Sequence, residues 1–200
     1  MEYDQLCELV SGMKLNDNNN KNQILKKINN QKNLTEICIL ARNYLSPQST
    51  DLETICKKYL KIDSPIDETS GDGHKNGKNY EIKISIHAKK SKLNFVQIRP
   101  DHNIDFYIFI GYNMYDNNDK KIGKAYIFKI PSNIVYELIV LYGGYAHGTI
   151  KKLGEITINN IKGRNCEYAL RCNPNQKKGK DFDLWKEFKK YKVDYNFNNF

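Results

Sequence analysis

The sequence predicts an α/β (α+β) domain with one mixed β-sheet flanked by helices. Apolar residues recur at helical spacing in the first third, switch to strict alternation after Ser70, and return to helical spacing after Pro131 and again from Asp181. No repeat or linker divides the 200 residues, a length that suits a single domain. Within 1–200, residues 1–62 are expected to be mainly helical and 70–130 to form the sheet; 131–200 should hold a helix, short strands and a terminal helix.

Tyr3 to Met13 reads as the first helix, and the Asn-rich stretch from Asn16 to Asn22 as a solvated loop. Leu34 to Tyr44 carries Ile37, Ile39, Leu40 and Tyr44 at near-helical spacing. Thr50 and Glu53 have the spacing of a capping box and open a helix that runs to Leu60. Ile82, Ile84 and Ile86 then alternate with Glu81, Lys83, Ser85 and His87, the pattern of a strand with one buried face. Asn94 to Arg99, Asp105 to Asn113 and Ala125 to Ile130 read as further strands. The run from Phe106 to Tyr112 is apolar on both faces and suits the centre of the sheet. Pro131-Ser132 opens a helix ending at Gly143-Gly144, where glycine suits a left-handed cap. Ile156 to Asn159 and Glu167 to Cys172 are expected as short strands. The last helix runs from Asp181 to Tyr191, with Trp185 and Phe188 packed in the core or against a second copy.

Thirty-two Lys and Arg against 23 Asp and Glu leave a net charge of +9. A polyanion is the natural partner, and nucleic acid ranks ahead of an anionic membrane. The competing explanation is a chain enriched in Lys, Asn and Ile by AT-biased coding, in which the charge is merely compositional. No apolar run approaches the roughly 18 residues that cross a bilayer, and the start lacks the regions of a signal peptide. A soluble, cytoplasmic protein with no membrane partner is therefore expected. The five cysteines include no Cys-x-x-Cys, which argues against a disulfide framework or zinc knuckle.

The chemistry concentrates between Gly71 and Lys83. Asn76-Gly77 is the preferred pair for a two-residue type I′ hairpin, since both positions need positive φ. Counting back from Lys75 opposite Lys78 places His74 across from Asn79, Gly73 from Tyr80, and Asp72 from Glu81. Lys83, two residues beyond Glu81, projects from the same face while Ile82 and Ile84 go to the core. Two converging carboxylates repel unless a cation or a proton lies between them. A hard divalent ion such as Mg²⁺ meets that demand, taking Asp72, Glu81 and the Ile82 backbone carbonyl. Lys83 is suited to hold an attacking water or to stabilise charge on a phosphate.

This arrangement resembles the PD-(D/E)xK nuclease signature, an Asp and a Glu-x-Lys strand separated by a short hairpin. Gln97-Ile98-Arg99 supplies a polar Gln-x-Arg on the next strand, a hydrophobic strand follows, and Glu53 lies on a preceding acidic helix. The ensemble, across residues 46–113, is similar to a small type II restriction endonuclease, with Ala146-His147-Gly148-Thr149 a weaker echo. The resemblance implies a restriction-endonuclease-like fold with a catalytic hairpin and Mg²⁺-dependent cleavage of double-stranded DNA, with Mn²⁺ able to substitute. It also implies a homodimer and a cognate DNA methyltransferase in the same system. Asp72, Glu81, Lys83, Glu53 and Gln97 are then the catalytic candidates, with Glu53 a further metal ligand. One departure is clear: Gly71 precedes Asp72 where the family has proline, while Pro65-Ile66-Asp67 mimics the Pro-x-Asp form. Asp67 cannot face Glu81 in the hairpin register, so Asp72 is preferred.

DNA contacts are expected from Arg99 and mainly from the C-terminal third, at His147, Thr149, Lys151, Lys152, Arg164 and Arg171, where polar and basic loops lack core duty. Two other readings stand beside the restriction enzyme. One is a structure-specific repair or recombination nuclease, like a junction resolvase; the other is a non-catalytic DNA-binding protein.

Overall fold

The computed structural model describes residues 18–30, 33–45, 50–86, 92–114, 123–146 and 153–194. Three helices come first: α1 (Asn18–Asn29), α2 (Leu34–Tyr44) and α3 (Asp51–Leu60). The strands β1 (Gly73–Lys75), β2 (Lys78–Ser85), β3 (Leu93–Ile98), β4 (Phe106–Asn113) and β5 (Lys124–Pro131) follow. The chain continues through α4 (Ser132–Tyr142), β6 (Gly144–Tyr145), β7 (Tyr168–Cys172), α5 (Lys180–Lys189) and β8 (Lys192–Val193). None of the described helices is long and apolar enough to cross a membrane.

The expected mixed sheet is present, with five strands in the order β1-β2-β4-β5-β8. The β2 and β4 strands run parallel, and every other neighbour in the sheet is antiparallel. A parallel pair needs a crossover, and the chain makes it through β3. That strand belongs to a second, antiparallel sheet, β3-β7-β6, so the single sheet expected from sequence is corrected to two.

Each face of the large sheet has its own apolar layer. Ile82, Ile108, Ile110 and Ile127 meet Ile28, Leu34, Ile37, Cys38 and Ile55 of the N-terminal helices. On the other face Tyr107, Phe109, Phe128 and Ile130 pack under Leu93, Phe95 and Leu170 of the second sheet and under α4 and α5. Glu81 pairs in register with Tyr107 and Lys83 with Phe109, so the polar residues of β2 lie on this second face. Sequence alternation predicts one buried face for β2, but Glu81 and Ser85 are buried too, because the second sheet covers them.

Several local expectations are corrected. Helix α1 starts at Asn18, inside the predicted Asn-rich loop, because Ile24 and Ile28 pack into the core and override weak local propensity. Thr50 has helical φ and ψ and makes no side-chain cap bond, so the capping box does not form. Residues 156–159 form no strand. Asn160 organises that stretch instead, accepting from the Thr157 N–H and donating to the Glu155 carbonyl. Gly143 ends α4 in an extended rather than left-handed conformation, as the chain enters β6 at once. The predicted helix at 3–13 lies outside the described residues.

Trp185 and Phe188 are buried, which settles the choice between core and dimer packing in favour of the core. Phe188 lies within 5.0–5.7 Å of the Phe95, Phe109 and Phe128 rings, joining the two sheets through one aromatic cluster. Phe188→Ala is therefore expected to cost about 3–5 kcal/mol in urea-induced unfolding. Loss of stability with the oligomeric state unchanged is the expected result.

Candidate functional site

The β1-β2 hairpin has the register that its turn residues require. Asn76 (φ 52°) and Gly77 (φ 73°) both take left-handed backbone. Lys75 pairs with Lys78, His74 with Asn79 and Gly73 with Tyr80. The ladder ends there, and Asp72 does not form a strand pair with Glu81. Its N–H donates to the Tyr80 carbonyl at 2.8 Å, and its Oδ2 accepts from the Ile82 N–H at 2.7 Å. The carboxylate thus occupies the place of the missing strand partner at the open edge of β2. Strand alternation directs the Ile82 carbonyl to that same edge, beside Asp72.

Glu81 projects from the covered face and ion-pairs with Lys83, Oε1 to Nζ 2.5 Å. The Glu81 side chain is 9% exposed and that of Lys83 14%. A buried ion pair needs well-placed partners, and Gly71 leaves room for the Glu81 side chain. Gly71 has φ +76°, and a Cβ there would lie 2.7 Å from the Tyr80 carbonyl oxygen and 3.0 Å from Glu81 Oε2. Proline cannot adopt that φ, so the residue before Asp72 cannot be proline on this chain path.

The 99–105 turn braces the segment that carries Asp72. Asn103 N–H donates to the Thr69 carbonyl, and Asn79 Nδ2 donates to the Asn103 carbonyl. Asp105 accepts from the Asn79 N–H and from Lys78 Nζ. The buried Tyr107 hydroxyl donates to the Arg99 carbonyl at 3.3 Å. Sequence reasoning passed over Asn79, Asn103 and Tyr107. A polar Asn inside a strand was the available signal, but its partner is 24 residues away.

Burial pushes the Asp72 carboxyl up to about 6, and the negative charges of Glu81 and Glu53 push the same way against the Ile82 N–H bond. Glu53 therefore lies within electrostatic reach of Asp72. Its own carboxylate pairs with Lys57 at 3.0 Å along α3. Among the described residues, no three His, Cys, Asp or Glu side chains are grouped closely enough to hold a metal ion, so Glu53 does not complete a third ligand beside Asp72 and Glu81. Asp67 is exposed and caps its own turn through the Thr69 N–H and hydroxyl, each at 2.8 Å.

The remaining candidates separate. Gln97 is exposed on an irregular stretch of β3, with φ 57°, and makes no hydrogen bond to Asp72, Glu81 or Lys83. Arg99 pairs with Glu167 at 2.5 Å. Arg164 donates to the Tyr145 hydroxyl at 2.6 Å, and Arg171 Nε to Asn94 Oδ1 at 3.1 Å. His147, Thr149, Lys151 and Lys152 lie outside the described residues. Family models, curated proteins and solved structures give no match to this chain.

The raised Asp72 carboxyl has a defined pH signature. The folded state holds this proton up to about pH 6, whereas the unfolded chain releases it near 3.8, so stability falls as pH rises between the two values. Without metal, Asp72→Asn is expected to raise the melting temperature at pH 8 by about 5 °C, and the gain should vanish below pH 4. Thermal melts across this range check it; an equal effect at both pH values would remove the buried charge as the cause.

Proposed function

We propose that this protein is a Mg²⁺-dependent, site-specific endonuclease that hydrolyses phosphodiesters of double-stranded DNA. The observation that carries the reading is that Asp72, held on the Ile82 N–H where the hairpin ladder stops, lies within electrostatic reach of the Glu81–Lys83 ion pair, with the Ile82 carbonyl turned to the same edge by strand geometry. The donor set fits a hard divalent cation: two carboxylates and a backbone carbonyl, all oxygen, at a position where Asp72 carries excess negative charge. Asp72, Glu81 and the Ile82 carbonyl would hold Mg²⁺, and Mn²⁺ would substitute. When bound, the ion supplies positive charge opposite the phosphate and an acidified water.

The protein groups supply the rest of the chemistry. The Lys83 ammonium, fixed by Glu81, is placed to orient a water or to neutralise charge that builds on the phosphate oxygens. Glu53 adds negative potential from α3 without touching the pair. The net charge of +9 favours a polyanionic substrate. Restriction activity, a homodimer cutting both strands, a partner methyltransferase and a cytoplasmic location belong to the same proposal through the motif resemblance.

Plasmid DNA incubated with the protein in Mg²⁺, then in EDTA, tests the reading. Discrete fragments in Mg²⁺ and none in EDTA are expected. Cleavage confined to branched duplexes would replace site specificity with structure specificity, and binding without strand breaks would remove the enzymatic reading. Asp72→Ala and Glu81→Ala should each abolish cleavage while the protein stays folded. Lys83→Ala should reduce the rate by about three orders of magnitude or more, and Lys83→Arg should also lose most of it, because a guanidinium cannot replace a compact amine at this spacing. Wild-type rates in both Lys83 variants would take this residue out of the mechanism.

A further inference from the structure

The β3 and β7 strands form an antiparallel ribbon with one irregularity. Leu93 pairs with Cys172, Asn94 with Arg171 and Phe95 with Leu170, but the next pair is Ile98 with Tyr168. Three steps along β3 therefore match two along β7, and Gln97 absorbs the extra residue with φ 57°. Left-handed backbone at a non-glycine residue costs about 1 kcal/mol or more. The bulge determines which side chains face outward. Strict alternation would send Gln97 into the core behind Phe95 and expose Ile98. Instead Leu93, Phe95 and Ile98 are all buried, and Asn94 and Gln97 are both exposed.

Arg171 stands directly across from Asn94 and is exposed as well. Its Nε is held by Asn94 Oδ1 at 3.1 Å, which orients the guanidinium plane. Arg99, by contrast, is neutralised by Glu167. Among the described residues no carboxylate lies within ion-pair distance of Arg171, and its two terminal amino groups carry no hydrogen bond. The ribbon also adjoins the site. Asn94 N–H donates to Ser85 Oγ at 2.9 Å, and Ser85 follows Lys83 by two residues on the same face of β2.

We propose that this bulged ribbon reads double-stranded DNA in the major groove, with Arg171, Asn94 and Gln97 meeting base edges; the assignment rests on the nuclease reading above. A two-stranded ribbon fits the major groove, where a guanidinium fork matches guanine O6 and N7 and a carboxamide matches adenine N6 and N7. Amides and guanidinium groups also bind phosphates, but the fixed plane of Arg171 beside two exposed carboxamides suits the bidentate patterns of base edges. The recognition surface then includes β3 as well as the C-terminal third.

Selection from a pool of duplexes with a randomised central segment tests this, with EDTA present so that strands stay intact. The wild-type protein should enrich a defined motif. Arg171→Lys keeps the charge and loses the fork, Asn94→Ala loses the orienting amide, and Gln97→Asn keeps a residue that tolerates left-handed backbone while shortening its reach. Each should relax discrimination at one or two positions by about 10- to 100-fold and leave the other positions intact. Melting temperatures within about 2 °C of wild type would show that these exposed changes leave the fold in place. Unchanged preference in all three variants overturns the proposal. So does Arg171→Lys behaving as wild type while Arg171→Ala weakens every sequence alike, the pattern of a phosphate contact. Binding by the wild type without any sequence preference overturns it while leaving DNA cleavage standing, whereas no binding to duplex DNA overturns the nuclease reading itself.

Discussion

The hydrogen bond from the Ile82 N–H to the Asp72 carboxylate is the constraint on which the site depends. A three-residue β1 cannot satisfy the whole edge of an eight-residue β2, and its last ladder pair is Gly73 with Tyr80. The next edge amide needs an acceptor, and a side chain supplies it. Asp72 is thereby drawn inward to the strand edge instead of pointing into solvent, and it is held beside the residue that carries Glu81's neighbouring carbonyl. Backbone satisfaction and carboxylate placement are one event here.

That placement sets the electrostatics. Asp72 loses solvation and gains two negative neighbours, and the Ile82 N–H and the Lys83 charge do not offset them. Glu81, more deeply buried, is balanced by Lys83. The site thus sets one ion-paired carboxylate beside one whose ionisation burial and like charge oppose, an asymmetry that a bound cation would remove. Stability is traded for charge placement, because a buried ion pair contributes less to folding than well-packed apolar groups of the same size. Tyr107, Ile104 and the second sheet maintain this arrangement by excluding water from the covered face of β2.

What could be read from the sequence follows the range of the interaction responsible. The hairpin register was legible because Asn76-Gly77 determines it within six residues, and the central place of Phe106–Asn113 was legible because that run is apolar on both faces. The second sheet was not. The partner of Asn94 is Arg171, 77 residues away, and no local pattern announces that pairing. The bulge at Gln97 was hidden for the same reason: alternation counts parity, and one extra residue reverses it. The Thr50-Glu53 box failed in the other direction, since its spacing was correct while Thr50 had already entered the helix. Within the candidate site, the nearness of Asp72 to Glu81 and Lys83 was legible, and the bracing of Asp72 by Asn79, Asn103 and Asp105 was not.

Gly71 is a structural requirement at the residue before Asp72. A proline before Asp72 would deliver the chain with φ near −65°, whereas this chain arrives with φ +76° and its backbone packed against Tyr80 and Ile104. The preceding Asp67 turn and the Asn103 to Thr69 hydrogen bond set that approach. With the chain entering from this side, any Cβ at residue 71 would press on the Tyr80 carbonyl and on Glu81 Oε2, so the residue before Asp72 also governs where Glu81 can lie. The Pro-x-Asp sequence at 65–67 then has a local structural role. Its aspartate closes the turn that lets glycine deliver Asp72 to the edge of β2.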